Sequence, residues 1–313
     1  MTAKPATLHL SIVVSSRNRA PDVARFLDHV SHTRCHDATR WELIFVDNGS
    51  TDDTAEVVRH FSTIATFPMQ YLLESQPGKS RGVNAGILAS RGEIIALTDD
   101  DAWVSETWVQ DIVDHFAMHS DTHCIGGRVV RAYPDLAELA IRESLEPESV
   151  SLDGFSALSI QLIGCNMSVR RSLLRQLGLF DPNLGPGVPA QAGEDLDFLY
   201  RIVAAGHALH YVPNVLVHHN HGRRSPLQIS AVRAGYLRGR GAFYAKQLLQ
   251  RDALASRWAY WEILANLKRW LRLQPPADGA PAGQILAELA RGAWAYLAHQ
   301  RVSVPDLQAE RLP

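Results

Sequence analysis

Through its first two hundred or so residues the chain alternates short β-branched runs with segments of helical spacing, and this restricts its fold more than any other feature. LSIVVSS (10–16) has the pattern of a short strand, and in the PDVARFLDHVSHT that follows, Val23, Phe26, Leu27 and Val30 recur at helical spacing. WELIFVDNGS (41–50) is a second strand closing on turn residues, after which TDDTAEVVRHF supplies a capping residue, early acids and a helix. A third strand falls at MQYLLES, GKSRGVNAGILASRG is a loop entering a helix that stops at Gly92, and EIIALTDDD (93–101) is a fourth strand. Strand, helix, strand, helix at these lengths predicts an α/β fold: a mostly parallel, Rossmann-like sheet with helices on both faces.

Ligands of such sheets bind at the carboxyl ends of the strands. Three polar clusters fall there, Ser15-Ser16-Arg17-Asn18, Asp47-Asn48-Gly49-Ser50 and Asp99-Asp100-Asp101. The last is the most demanding, because adjacent carboxylates repel one another and resist burial. A divalent cation and a polyphosphate would complete the charge balance, and Mg²⁺ or Mn²⁺ prefers such oxygen donors. An isolated DDD would instead be a solvated turn capping the next helix; convergence of three clusters on one crevice favours a site.

Beyond Trp103 the pattern continues with a helix at SETWVQDIVDHFAMH, a glycine turn and strand at CIGGRVVRAY, and an acid-rich stretch at 135–157 that fits neither template. LIGCNMSVRRSLLRQLG is a strand leading to a helix, LGPGVPAQAGED (184–195) is a loop rich in Gly and Pro, DLDFLYRIVAAG is a helix, and HALHYVPNVLVHHNH is strand-like. From Ser225 onward the pattern is helical, interrupted at QPPADGAPAGQ.

Charge is distributed unevenly. The formal net charge of −2 excludes a generally basic nucleic-acid binder, yet eleven Lys or Arg face two acids between Gly222 and Arg272. Cationic residues there alternate with Tyr and Trp, and RWAYWEILANLKRWLRL sets Trp258, Trp261 and Leu264 at recurring spacing. Such a segment either lies in an anionic membrane interface or packs its aromatic side on the rest of the protein. The three cysteines, Cys35, Cys124 and Cys165, have neither zinc spacing nor the density of a disulfide scaffold, which fits a reducing compartment. The polar leader and short apolar run at the start lack a signal-peptide core, and no apolar stretch reaches membrane-spanning length, so a cytoplasmic protein, either soluble or peripheral at the inner face of the membrane, is expected.

Six segments in order, SIVVSSRNR, VDNGSTDDT, GKSRGVNAGILASRGEIIALTDDD, GCNMSVRR, GEDLDFLYRIVAAG and YVPNVLVHHNH, resemble the family-2 glycosyltransferases of bacterial type over roughly residues 8–224. These are inverting sugar transferases with the GT-A nucleotide-diphospho-sugar transferase fold. The resemblance implies a catalytic domain over 1–224, with a nucleotide-binding half at 8–102 and an acceptor half at 103–224, followed by a helical region at 225–313. It also implies a metal-dependent transfer from a nucleotide-diphosphate sugar, UDP-linked by default, to a hydroxyl of a glycan or lipid-linked acceptor.

Roles follow residue by residue. Asp47 matches the acid that accepts from the nucleotide base, with Ser15, Arg17 and Asn18 flanking base and ribose. Asp99, Asp100 and Asp101 match the DXD-type motif, with Asp99 and Asp100 towards the donor and Asp101, with Asp99, towards the metal. Arg81 and Asn84 fall where the family places donor-binding groups, although Val83 stands where Arg is common. Asp195 matches the general base that deprotonates the acceptor, with Glu194 as its alternate or an acceptor contact, and Asn166 is an acceptor-side candidate. His219 matches the family's metal-side histidine, and strand alternation would point His221 the same way. Arg223 and Arg224 are candidates for diphosphate or a phosphate-bearing acceptor, or else a solvated surface pair.

Two other classes are weighed. A dinucleotide-dependent oxidoreductase would share the alternation, but the first strand lacks a GxGxxG turn and carries Arg17 and Arg19 there instead. A non-catalytic sugar-nucleotide or membrane-binding module of the same fold would have little reason to keep both the aspartate triplet and the GED acid.

Overall fold

The computed structural model describes residues 8–133, 148–152, 162, 164–223, 225–274 and 280–299. Most of the 135–157 stretch, Arg224 and residues 275–279 lie outside them.

Uninterrupted aliphatic runs make strands buried on both faces, and the amino-terminal half is built from them. In chain order come β1 (Leu10–Ser16), α1 (Ala20–Ser31), β2 (Trp41–Asp47), α2 (Thr54–Ser62), β3 (Met69–Leu73), α3 (Lys79–Ala89) and β4 (Ile94–Thr98). Then follow β5 (Ala102–Val104), α4 (Trp108–Met118), β6 (Cys124–Arg131), β7 (Val150–Leu152), β8 (Asn166–Arg170), α5 (Arg171–Leu177), α6 (Glu194–Ala204) and β9 (Leu209–His219). Three helices close the described chain: α7 (Pro226–Leu249), α8 (Ala253–Trp270) and α9 (Ala282–His299).

Strand order is β3-β2-β1-β4-β8-β6-β9-β5, with β7 beside β9. The half from β3 to β4 is parallel throughout, as the alternation predicts. Beyond it the sheet is mixed: β8 runs antiparallel to both β4 and β6, and β5 and β7 run antiparallel to β9. The parallel expectation therefore holds throughout from β1 to β4. In the rest of the sheet β6 and β9 are again parallel, and β8, β5 and β7 supply the antiparallel pairings.

On one face of β1, Leu10, Ile12 and Val14 share a core with the predicted α1 stripe of Val23, Phe26, Leu27 and Val30. On the other face Val13 meets α3, and the approach is close. A Cβ at Gly82 would come within 2.1 Å of Ser15 Oγ, and one at Gly86 within 2.4 Å of Val13 Cγ1. The glycine spacing in GVNAG thus lets α3 lie against the strand that leads into the first polar cluster.

The described residues fall into two compact units. One holds the chain up to Leu179 together with Phe198–Arg224; the other holds Phe180–Asp197 with the helices from Ser225 onward. In the second unit Leu184, Ala190, Ala242, Ala245 and Tyr296 form a small core. A capping box starts α7: Ser225 Oγ accepts from Gln228 N, Gln228 Oε1 accepts from Ser225 N, and Pro226 occupies the first turn. Among the described residues no helix is long and apolar enough to cross a membrane.

Candidate active site

The aspartate triplet is placed by two strand pairings. β4 lies parallel to β1 with Thr98 beside Val14, so the loops after Ser16 and Thr98 leave the sheet together. The three-residue β5 then pairs antiparallel with β9, Ala102 opposite His219, and Asn220 N donates to Asp101 O at 2.7 Å. This short strand had no legible sequence signal, yet it brings the histidine run back to the triplet.

Asp101 is the meeting point. Its Oδ1 lies 3.2 Å from His219 Nε2 and its Oδ2 accepts from Arg19 Nη2 at 3.0 Å. Arg19 also forms ion pairs with Asp100, Nε to Oδ1 at 2.9 Å, and with Asp22. Ser16 Oγ donates to Asp100, and Lys79 Nζ stands 2.6 Å from Asp99 Oδ1. Side-chain cations therefore balance the triplet in part. Burial pushes the Asp100 carboxyl up, and Arg19 offsets this only partly. Burial acts upward on Asp101 too, but hydrogen bonding to His219, the His219 charge and Arg19 together hold it well below the usual carboxylate range. Adjacent acids are thus driven apart in proton affinity.

His221 lies with its ring 5.3 Å from that of His219, and Arg223 Nη1 is 2.6 Å from its Nδ1. Burial, Arg223 and His219 push its pKa down to about 4, so its ring is neutral at neutral pH. Arg223, a diphosphate candidate, is thus engaged at His221.

Among the described residues no group of three or more His, Cys, Asp or Glu forms a metal cage. The facing Asp101 carboxylate and His219 imidazole form a two-donor set of oxygen and nitrogen, chemically suited to Mg²⁺ or Mn²⁺ whose other positions are filled by phosphate oxygens and water. Asp99, expected on the metal, is turned to Lys79 instead.

The loops after β1, β2 and β3 are laced to one another. Asn18, at φ 55°, accepts from Thr51 N at 2.7 Å and its own N–H donates to Ser50 Oγ. Asp47, fully enclosed, accepts from Ser50 N at 2.7 Å and from Tyr71 OH at 2.9 Å. Asn48 ties this loop to the next: its Oδ1 accepts from Gly78 N and its Nδ2 donates to Gln76 O. Ser15 is half-buried against α3, Arg17 is exposed, Arg81 is half-buried, and Asn84 and Val83 are buried in α3.

One expectation is corrected by geometry. Asn166 Oδ1 accepts from Trp108 Nε1 at 2.9 Å while its Nδ2 donates to Arg128 O and Val215 O. Its amide ties α4, β6 and β9 together, a structural role in place of the acceptor contact. Cys165 is buried, and burial raises its thiol pKa well above the usual range, as expected of a packed residue.

In the second unit the GED segment opens α6. Gly193 has φ +96°, and a Cβ there would lie 2.7 Å from Gly239 O, so the turn into the helix accepts only glycine. Glu194 and Asp195 are half-buried, and Asp195 Oδ1 accepts from Leu196 N at 2.8 Å. Asp197 is fully enclosed, 2.8 Å from Lys246 Nζ, which also reaches Asp181 Oδ2 at 3.1 Å; Tyr296 OH donates to Asp181 at 2.9 Å. Burial acts upward on Asp181, but Lys246 and hydrogen bonds from Asn183, Lys246 and Tyr296 bring its pKa below the usual carboxylate value.

Sequence reasoning gave Lys79 and Lys246 no role, and it set Ser16 and Arg19, in the loop after the first strand, beside base and ribose without seeing that both turn to the aspartate triplet. Arg19 had a signal in SRNR, but its partners become neighbours only once β1 and β4 are adjacent.

The family model for glycosyl transferase family 2 matches residues 11–178. The chain belongs to that family. Glycosyltransferase AglE of Haloferax volcanii is 26% identical over 66% of this chain and 65% of its own length. Dolichyl-phosphate beta-glucosyltransferase ALG5A of Trichomonas vaginalis is 33% identical over 31% of this chain and 32% of its own. The chain thus spans from about a third to 65% of these curated relatives. The family-2 chain also shares its fold with S. aureus TarS 1-349, TM-score 0.60 at 13% identity, covering 96% of this chain and 76% of that one. It superposes likewise on the mannosyltransferase PcManGT of Pyrobaculum calidifontis, solved with GDP-Man and Mn²⁺, with TM-score 0.61 at 17% identity, covering 94% and 91%. The GT-A architecture with a helical carboxyl-terminal region is the one the sequence implies.

Proposed function

We propose that the chain transfers a glycosyl group from a nucleotide-diphosphate sugar to the hydroxyl of a glycan or lipid-linked acceptor, with inversion. The observation that carries this reading is Asp101, between β4 and β5, flanked by His219 and Arg19. Donor diphosphate would lie against Arg19 and Lys79, whose positive charge favours the leaving group as it departs. Asp101 and His219 would hold Mg²⁺ or Mn²⁺, which when bound supplies Lewis-acid stabilisation of the diphosphate. Asp195, at the positive end of α6, takes the proton from the acceptor hydroxyl; the acceptor oxygen bonds to the anomeric carbon as its bond to the diphosphate breaks. Glu194 beside it contacts acceptor hydroxyls.

UDP is the first donor base to test. TarS has been solved with UDP-GlcNAc and PcManGT with GDP-Man and Mn²⁺, which makes both nucleotide classes concrete probes. A lipid-linked acceptor is supported by the dolichyl-phosphate relative and by the cationic, aromatic helices after Ser225, which suit peripheral membrane contact. Nothing in the charge pattern calls for nucleic acid.

The test is release of nucleoside diphosphate from UDP-GlcNAc and GDP-Man with Mn²⁺ present. Slow release from one donor, lost in Asp101→Ala, is the expected result. Donor binding with no release, with or without lipid-linked acceptors, would instead establish a non-catalytic module.

A further inference from the structure

Helix α8 is built the wrong way round for a helix that serves only to pack. Towards its neighbours it buries Ala255, Ala259 and Asn266, small or polar residues. Beside them Glu262 bonds to Tyr244 OH at 2.6 Å and Arg240 Nη2 at 2.7 Å, both on α7. Leu254, Trp258 and Leu264 are half-buried, and the rest of its large apolar residues face away. Tyr260, Trp261, Ile263, Leu267, Trp270 and Leu271 are all exposed, Trp261 at 58% and Trp270 at 60%. Tyr260, Leu267 and Leu271 stand seven and four residues apart, which aligns them along one helical side. A soluble helix normally shows the opposite polarity.

The charges around this face select what covers it. Arg257, Lys268 and Arg272 are exposed on or just after α8, with Arg269 half-buried beside them, while the one acid inside the helix, Glu262, is spent on α7. A second copy of the chain docking here by a two-fold axis would set these cations against one another. An anionic bilayer meets them with headgroup charge and takes the rings at the interface, where Trp and Tyr are favoured. No described helix crosses a membrane, so contact lies in the plane of the surface.

We infer that the outward face of α8 is a docking surface for an anionic lipid bilayer. This deepens the reading of a lipid-linked acceptor but is tested apart from it. The full chain is co-sedimented with phosphatidylcholine vesicles and with vesicles containing phosphatidylglycerol. Expected are binding at least about tenfold tighter to the anionic vesicles, weakening with salt, and a blue shift of tryptophan fluorescence. Trp261→Ser with Leu267→Ser should remove the vesicle binding, and because both side chains are exposed the melting temperature should stay unchanged. Nucleotide binding in solution should be the same in this variant; if the wild type binds vesicles but no nucleotide, the transferase reading fails and the docking surface stands. Equal affinity for both vesicle types, no binding to either, or a dimer that the double variant abolishes would overturn the inference.

Discussion

Two acidic clusters, one in each compact unit, use the same residues under different constraints. In the first unit Asp99, Asp100 and Asp101 are drawn to Lys79, Arg19 and His219, and the proton affinities of Asp100 and Asp101 diverge. In the second, the proposed base and the scaffold are separated along one turn: Asp197 is enclosed and paired with Lys246, while Glu194 and Asp195 are half-buried. The difference shows how buried carboxylate is made tolerable. At the triplet, arginine, lysine and imidazole share the compensation; at the start of α6, a single lysine stands between two enclosed carboxylates, and a tyrosine and an asparagine supply hydrogen bonds to one of them.

The separation can be broken first at its chemical end. Asp195→Asn should lower turnover about 10²–10⁴-fold while nucleotide binding is unchanged, measured by steady-state kinetics beside calorimetry. If turnover stays within a few-fold, Glu194 or another group is the base.

Lys246→Met comes next. It leaves Asp181 and Asp197 buried without their cation and should cost about 3–5 kcal/mol, read by denaturant unfolding. A loss under about 1 kcal/mol would mean that the two acids are accommodated without it.

Arg19→Gln should be milder for folding, about 1–3 kcal/mol, because Arg19 is partly exposed and Asp101 keeps His219. Nucleoside diphosphate affinity should fall as well. Unchanged affinity would remove Arg19 from the donor site.

The smallest effect concerns pH. Asp181 has a folded pKa below its ordinary value of 3.8, so its stabilising contribution is present above that value and lost as pH falls through the lower folded one. Acid unfolding of the wild type should carry this component, and Lys246→Met should flatten it.

The parallel half of the sheet and the α1 stripe were legible because period and burial coincide there: Val23, Phe26, Leu27 and Val30 recur at helical spacing and are buried. The triplet, the GED acid and the histidine run were legible from their order along the chain. What joins them was not. β5 is three residues long, too short for any periodicity, and yet its pairing with β9 decides that His219 faces Asp101. Arg19, Lys79 and Lys246 were invisible as partners because a cation's role depends on which carboxylate folding brings near it. Asn166 was misread for the same reason: its amide is used by Trp108, Arg128 and Val215, all distant in sequence.

The central claim is that Asp101, with His219, forms a cation and diphosphate site. Calorimetric titration of the protein with UDP, GDP and dTDP, with and without Mn²⁺ and beside Asp101→Ala, tests it most directly. The account predicts that one nucleotide binds, that Mn²⁺ tightens its binding, and that Asp101→Ala abolishes the Mn²⁺ effect. Binding that is indifferent to both Mn²⁺ and the substitution, or no binding of any of the three, would contradict it.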